Sequence, residues 1–362
     1  MAERLTFLFL FVLAAFPLVS TGQELYQDTK GTFRAKVLEI ISEEKTILPV
    51  TETEVLVQTL SAEILDGNKK GEIITIENDF VKLSKGDEFF VNYLVTIDGQ
   101  EIYSVFEPDR RQTLWIFLVI FMVVVIFFGG FQGIRSLFSL AAGFFVIIYF
   151  LLPSILRGVS PLLAGIGFSI LILAFAMYLT HGFKRRTHAA FIGTVLTIII
   201  VGILASLAVS SAKLSGFASD EAVYLNLDTR GKLNFAELLV VAIIIGALGI
   251  LDDIAITQAS VIETLKNNLP DIKRRKAYLE ALKVGREHVG ALVNTLALAY
   301  VGASLPLLLL FYGTDQTQSW SIITNREIFA TEIIRTIAGS IGLILAVPIT
   351  TALAVLMLIR KS

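Results

Sequence analysis

Two adjacent carboxylates, Asp252 and Asp253, follow an unbroken apolar run from Leu238 to Leu251. At 1.5 Å per helical residue that run covers about 21 Å, short of the roughly 30 Å hydrocarbon core of a bilayer. A spanning helix must therefore continue through the aspartates, or begin earlier, through Asn234 and Glu237. Either way an acid lies near or inside the membrane. A carboxylate at that depth is costly, faces protein or water, and marks proton or ion paths. Neighbouring carboxylates repel each other and burial disfavours their charged forms, so such a pair is suited to taking up and releasing protons. The alternative is local: one aspartate caps a new helix starting at Ile254, with a helix break beside it.

Gly246, Gly249 and Asp253 fall at i, i+3 and i+7 on one helical face, where small residues let a second helix approach closely. The next apolar stretch, from Glu287-His288-Val-Gly290, carries Asn294 and Thr295. Its residues Ala291, Thr295, Ala299 and Gly302 form a small polar face. Thr257, Asn294 and Thr295 are therefore candidates to complete a proton or ion path with Asp252 and Asp253. Gly246, Gly249 and Gly302 are candidates for helix packing, and the same polar groups also serve as ordinary interhelical glue. Arg335 is the basic residue best placed to pair with an acid near the last span, and Glu332 is its local partner. His181, His188 and His288 match no metal-binding spacing, so no metal site is expected. No second span carries a well-placed acid, which argues against a two-aspartate intramembrane protease. No catalytic residue is identified, and no enzyme activity is expected.

The elements that hold these residues follow from composition. Of 362 residues, 55% are hydrophobic and 17% charged, and mean hydropathy is +0.75. A soluble domain carries about 25% charge and about 45–50% apolar residues. With 26 Phe and 26 Gly, the balance suits lipid-facing surfaces and close helix contacts. A net charge of −2 offers nothing to nucleic acid. There is no Cys, hence no disulfide, thiolate metal site or cysteine nucleophile. No G-x-x-x-x-G-K-[ST] loop is present, so ATP is not hydrolysed by that route, and no cofactor is expected.

Residues 1–22 read as a secretory signal with cleavage near Gly22, or as an uncleaved anchor helix. Residues 23–111 are richer in charge, with β-type alternation at Phe33, Ala35 and Val37, at Val55 and Val57, and at Ile74 and Ile76. Phe90, Tyr93 and Val95 continue that composition. Turn signals stand at Asp66-Gly67, Lys70-Gly71, Lys85-Gly86-Asp87 and Asp98-Gly99. A small barrel of five or six strands, OB-like by strand count, is expected outside the membrane. Its bland role is docking or stabilising. No aromatic-plus-basic stacking face is evident.

Residues 112–362 read as an all-α polytopic membrane domain. Seven spans are expected, at about 114–130, 136–153, 161–179, 189–211, 235–258, 289–312 and 333–358. Lys and Arg then set the orientation. Arg135, Lys184 to Arg186, the basic loop from Lys266 to Arg286, and Arg360 and Lys361 all fall on one side, the cytoplasmic one. The outer loops hold few basic residues. Within the basic loop, Pro270-Asp271 is expected to start a short interfacial helix with Ile272, Leu279 and Leu282 on its apolar side, its cations meeting anionic lipid heads.

Three segments carry a resemblance. Leu248-Gly-Ile-Leu-Asp-Asp-Ile-Ala-Ile-Thr-Gln258 is one and Gly285-Arg-Glu-His-Val-Gly-Ala-Leu-Val-Asn-Thr295 is the second. The third is Ile334-Arg-Thr-Ile-Ala-Gly-Ser-Ile-Gly-Leu343 with Ala346-Val-Pro-Ile-Thr-Thr351. Together they resemble the YibE/F-like family of bacterial membrane proteins, over nearly the whole chain. The family brings no firmly established activity. A weaker resemblance of the second half is to the resistance–nodulation–division superfamily, which includes the SecD/SecF proteins, through Gly249 to Asp253, the 259–288 segment, Thr295 and Pro306. That likeness implies that Asp252 and Asp253 carry protons and that this chain is one half of a two-half core. A homodimer or partner membrane protein would complete it. The paired intramembrane lysine of that superfamily has no counterpart here.

The readings that follow are a proton- or ion-coupled transporter or export accessory of unknown substrate in the bacterial cytoplasmic membrane, a membrane sensor or receptor, and a scaffold of a membrane assembly. The lipid bilayer is the expected partner in each.

Overall fold

The computed structural model describes residues 30–47, 54–96, 99–314 and 319–359. The expected leader, residues 1–22, and Arg360 and Lys361 lie outside them. The chain divides into two compact units between Val124 and Val125.

Among its described residues the first unit holds five antiparallel strands: β1 (Lys30–Ile47), β2 (Glu54–Ile64), β3 (Ile73–Asn78), β4 (Glu88–Val95) and β5 (Glu101–Pro108). They hydrogen-bond in the order β3-β2-β1-β4-β5, and the outermost strands β3 and β5 approach each other. The sheet is thus a half-barrel. Long β1 pairs with both β2 and β4, and register shifts at Val37/Glu39 and Ile40/Ser42 let it curl. Ala35, Val37, Leu60, Ala62, Ile64, Ile74, Ile76, Phe89 and Val91 form its core. In β2 the buried phase is Gln58, Leu60, Ala62 and Ile64, so Val55 and Val57 sit on the other phase, half-buried. In β4 the buried phase is Phe89, Val91 and Tyr93, which turns Phe90 outward. Two turn glycines show why those positions read as turns. Gly67 has φ +76°, and a Cβ there would fall on the Phe33 ring; Gly86 has φ +94°. Both conformations favour glycine.

The second unit is helical. Among the described residues, five helical elements are long and apolar enough to cross a membrane: α1 (Arg111–Leu156), which begins in the first unit, α2 (Pro161–His181), α3 (Arg185–Ser211), α5 (Phe235–Asn268) and α9 (Glu327–Leu358). Short α4 (Asp220–Asp228) lies between α3 and α5. After α5 come α6 (Arg274–Ala303), α7 (Leu305–Thr314) and α8 (Trp320–Asn325).

Three of the seven expected spans are organised differently. Spans 114–130 and 136–153 belong to one element, α1, broken at Gly130 (φ 54°, ψ −136°). The break is sharp, because a Cβ on Gly133 would fall on the Val125 carbonyl and lie 3.1 Å from its carbon. In a straight helix those residues stand about 12 Å apart along the axis. The expected span 289–312 is not among the five. Its residues are shared between α6 and α7, which part at Ser304. Pro306 has no N–H to give and its ring crowds the carbonyl four residues back, which disfavours carrying α6 straight on through it, although α9 does continue through Pro348. The charged first half of α6 also removes it from the apolar class. The expected short helix at Pro270 does not stand alone. Helix begins at Arg274 and runs on to Ala303, with Ile272 buried just before it and Leu279 exposed.

The core of the bundle is built from α2, α3, α5, α6 and α9, with Ile198, Val201, Ile244, Leu251, Ile254, Ile262 and Leu343 fully buried. Side-chain contacts fix the helix directions. At one end, Glu237 at the start of α5 accepts from Ser160 Oγ at 2.6 Å and from Asn234 Nδ2 at 3.0 Å. Glu327 at the start of α9 accepts from the Ser215 and Gly216 amides at 2.7 and 2.8 Å. At the opposite end, Arg186 of α3 pairs with Glu263 of α5 at 2.8 Å, and Arg274 of α6 donates to the Ile359 carbonyl at 2.9 Å. Helices α2, α5 and α9 therefore run one way, and α3 and α6 the other. Lys184, Arg185, Arg186 and the 273–276 basic run collect at the Arg186 end.

Candidate functional site

Helix α5 carries the aspartates. It opens with Asn234 accepting from the Glu237 amide at 3.1 Å while the Glu237 carboxylate reaches back to the Asn234 side chain, a capping arrangement. It then runs without a break to Asn268. Neither aspartate caps a new helix at Ile254. Asp252 is half-buried and Asp253 exposed. Asp252 Oδ1 accepts from the Asp253 amide at 2.9 Å. Among the described residues no side chain donates to either carboxylate.

Gly246, Gly249 and Asp253 are all exposed and line one stripe of α5. Within this chain the stripe is covered at one point: a Cβ on Gly246 would lie 2.6 Å from Tyr300 Oη of α6. Among the described residues nothing lies within 4 Å of the corresponding point on Gly249 or Gly302. On α6, Asn294 and Thr295 are also exposed. Thr295 Oγ1 donates to the Ala291 carbonyl of its own helix at 2.9 Å, so neither residue meets the aspartates in a single chain. Arg335 pairs with Glu332 at 2.9 Å, one turn apart in α9.

The histidines do not converge. His188 Nδ1 is 2.9 Å from Tyr178 Oη and His288 is exposed on α6. His181, at the end of α2, lines an open surface cavity of about 480 Å³ with Gln132, Arg186, Thr257, Ser260, Val261 and Thr264. Thr257 is thus separated from Asn294 and Thr295 and faces this cavity.

The composition of the buried interior went unread in the sequence. Ser169, Thr187, Thr194, Thr197, Gln258, Thr350 and Thr351 are buried among apolar helices. Thr351 Oγ1 lies 3.0 Å from Gln258 Oε1, joining α9 to α5. Gly193 and Gly285 admit Thr350 and Gln258 to close contact. The Oγ atoms of Ser169, Thr187 and Thr350 are buried without a hydrogen-bond partner among the described residues. The signal available was polar residues inside apolar runs, notably Gln258 directly after Thr257.

In the first unit, Lys69 donates to Glu101 at 2.6 Å and to Tyr103 Oη at 2.9 Å and sits 4.6 Å from the Tyr93 ring centre. Tyr93 and Tyr103 also donate to Glu101, at 3.0 and 2.9 Å. Lys69, then Tyr103 and Tyr93, hold the Glu101 carboxyl below the usual carboxylate range, and Glu101 in turn raises the Lys69 ammonium. Aromatic and basic groups do meet here, but Tyr93 is buried and the cation is neutralised, so the cluster offers no open stacking face.

No curated protein and no solved structure matches the chain. Residues 117–360 match the family model described as YibE/F-like protein, a segment that takes in the whole aspartate helix, its neighbours and the cavity, and the chain belongs to the YibE/F-like family.

Proposed function

We propose that this multi-pass membrane protein is a proton- or ion-coupled transporter, or an export accessory, in which Asp252 and Asp253 take up and release the coupling ion. The observation that carries the reading is the uninterrupted α5 helix. Asp252 stands about 22 Å along the axis from Glu237, inside a hydrocarbon core about 30 Å thick if Glu237 lies at its edge. A carboxylate with no side-chain partner at that depth is a functional group by default.

Exposure of Gly246, Gly249, Asp253, Asn294 and Thr295 supports a second part to the reading. Polar groups cannot face lipid unsatisfied. A second copy of the chain, or a partner membrane protein, packs over this face and brings Asn294 and Thr295 to the carboxylates. The basic Arg186 end is cytoplasmic by the charge rule, in the bacterial inner membrane, and the half-barrel is extracytoplasmic.

The test is carbodiimide labelling of the protein in lipid across a pH series, with modified carboxyls located by mass spectrometry. Selective modification of Asp252 or Asp253 near neutral pH is the expected outcome. Labelling no greater than that of Glu263 would sink the reading and leave a sensor or scaffold.

A further inference from the structure

The cavity beside His181 lies on the same face of α5 as Asp253. Thr257, Ser260 and Thr264 line it, and they follow Asp253 by four, seven and eleven residues, the spacing of one helical stripe. Asp253 itself stands one turn, about 6 Å, beyond Thr257. At the other limit the cavity reaches Arg186, at the end of the bundle where Lys184 and Arg185 also lie. Ser260 Oγ turns back to the Ile256 carbonyl at 2.7 Å. The Thr257 and Thr264 hydroxyls have no hydrogen-bond partner among the described residues, so they are free to hold water. A cavity of this size accommodates several waters, each needing two to four polar partners.

We infer that this cavity is a water-filled vestibule through which Asp253 exchanges protons with the aqueous phase at the Arg186 end, with His181 in its wall as the relay. The inference rests on the proton reading of the aspartate pair. Asp253 and His181 lie within electrostatic reach of each other, and Lys184 and Arg186 act on His181 from the loop and from α3. Glu263 of α5 offsets the Arg186 charge. The step is a plain proton transfer. A proton from water at the Arg186 end passes to the His181 ring. The imidazolium then releases one along the Thr257 water to the Asp253 carboxylate, and the ring returns to neutral. Imidazole is the side chain suited to that exchange near neutral pH.

The chain has no native cysteine, so single cysteines need no background removed. Thr257→Cys, Ser260→Cys and Thr264→Cys are near-isosteric, and Leu171→Cys and Ile203→Cys at exposed apolar positions serve as controls. A membrane-impermeant methanethiosulfonate is applied to sealed vesicles from either side. The vestibule predicts modification of the three cavity positions from the Arg186 side and none of the controls. Protection of the three cysteines would overturn it, whatever the carboxylates do. Vesicles with different pH on the two sides are then treated with carbodiimide. Labelling of Asp253 that follows the pH of the Arg186 side, and stops following it once Thr257→Cys is blocked, supports the proposal. Labelling that follows the opposite side overturns the vestibule while sparing the proton reading. Absence of labelling under any pH, with the cysteines accessible, removes the proton reading and the proposed exchange with it. In His181→Gln the cysteines stay accessible and proton equilibration slows at least about tenfold; an unchanged rate excludes the relay.

Discussion

Thr351 Oγ1 lies 3.0 Å from Gln258 Oε1, joining two helices across the buried centre of the bundle. The two partners are not equally dependent on each other. Thr351 is also 2.6 Å from the Val347 carbonyl of its own helix. Gln258 Oε1 has Thr351 alone among the described residues.

That asymmetry predicts unequal variants. Thr351→Val strands a buried amide oxygen and should cost about 1–3 kcal/mol. Gln258→Leu leaves the threonine satisfied by Val347 and should lower the apparent melting temperature less. Thermal unfolding in detergent ranks the two; a reversed order would show that packing, not hydrogen bonding, dominates this contact.

Small residues divide into two groups by what surrounds them. A Cβ on Gly193 would fall on the Thr350 hydroxyl and lie 3.0 Å from its Cα. Gly193→Ala therefore overpacks a rigid site, at about 1–3 kcal/mol. Gly249→Ala and Gly302→Ala meet open space in one chain. They should leave the monomer's melting unchanged or slightly raised, since alanine favours helix over glycine, while Gly249→Leu should weaken self-association if a second copy covers that face. Förster transfer between labelled copies in liposomes reads the second effect, and equal transfer in both proteins would count against the homodimer.

Gln58 is wholly buried in the half-barrel. Its Oε1 accepts from the Leu83 amide at 2.8 Å and Asn78 Nδ2 at 3.1 Å, and its Nε2 donates to the Leu83 carbonyl at 3.0 Å. Gln58→Leu orphans these groups and should destabilise the sheet by about 2 kcal/mol or more. Hydrogen exchange should quicken first in the segment 78–84, which those bonds hold down. Uniform protection would mean the segment is held by other contacts.

The Lys69–Glu101 cluster gives the half-barrel two pH limits. The folded Glu101 value is depressed, so its contribution is present above the ordinary carboxylate value of 4.5 and is lost as pH falls through the folded value. The folded Lys69 value is raised above 10.5, so its contribution is complete below 10.5 and is lost as pH rises through the folded value. Exchange in β4 and β5, corrected for the intrinsic rate, should be slowest between those limits. Glu43 and Asp66 are depressed in the same half-barrel, so Glu101→Gln should shrink the acid limb without removing it; an unaltered acid limb would assign it to those other carboxylates.

Much of this architecture was legible in the residues. Long apolar runs can bury their backbone groups in lipid only as helices, so α2, α3, α5 and α9 stood near their expected places. Apolar alternation and the Gly67 and Gly86 turns marked a β unit, because a strand turns alternate residues to one face and glycine takes those turn dihedral angles cheaply. Depth and helical spacing singled out the aspartates, Thr257, Asn294 and Thr295 as candidates. Their mutual placement could not, because spacing along one helix says nothing of which neighbour faces it.

Sequence alone determined a membrane chain with a small β unit, an acidic pair on one helix and basic residues gathered between chosen spans, since each follows from local hydropathy, turn chemistry and periodicity. Tertiary structure decided the rest. It turned the Asp253 stripe to the surface, buried Gln258 against Thr351, and set His181 and Arg186 around the Thr257 cavity. Those outcomes depend on which helix faces pack, a choice made by side-chain volumes and close glycine contacts between residues far apart in the chain.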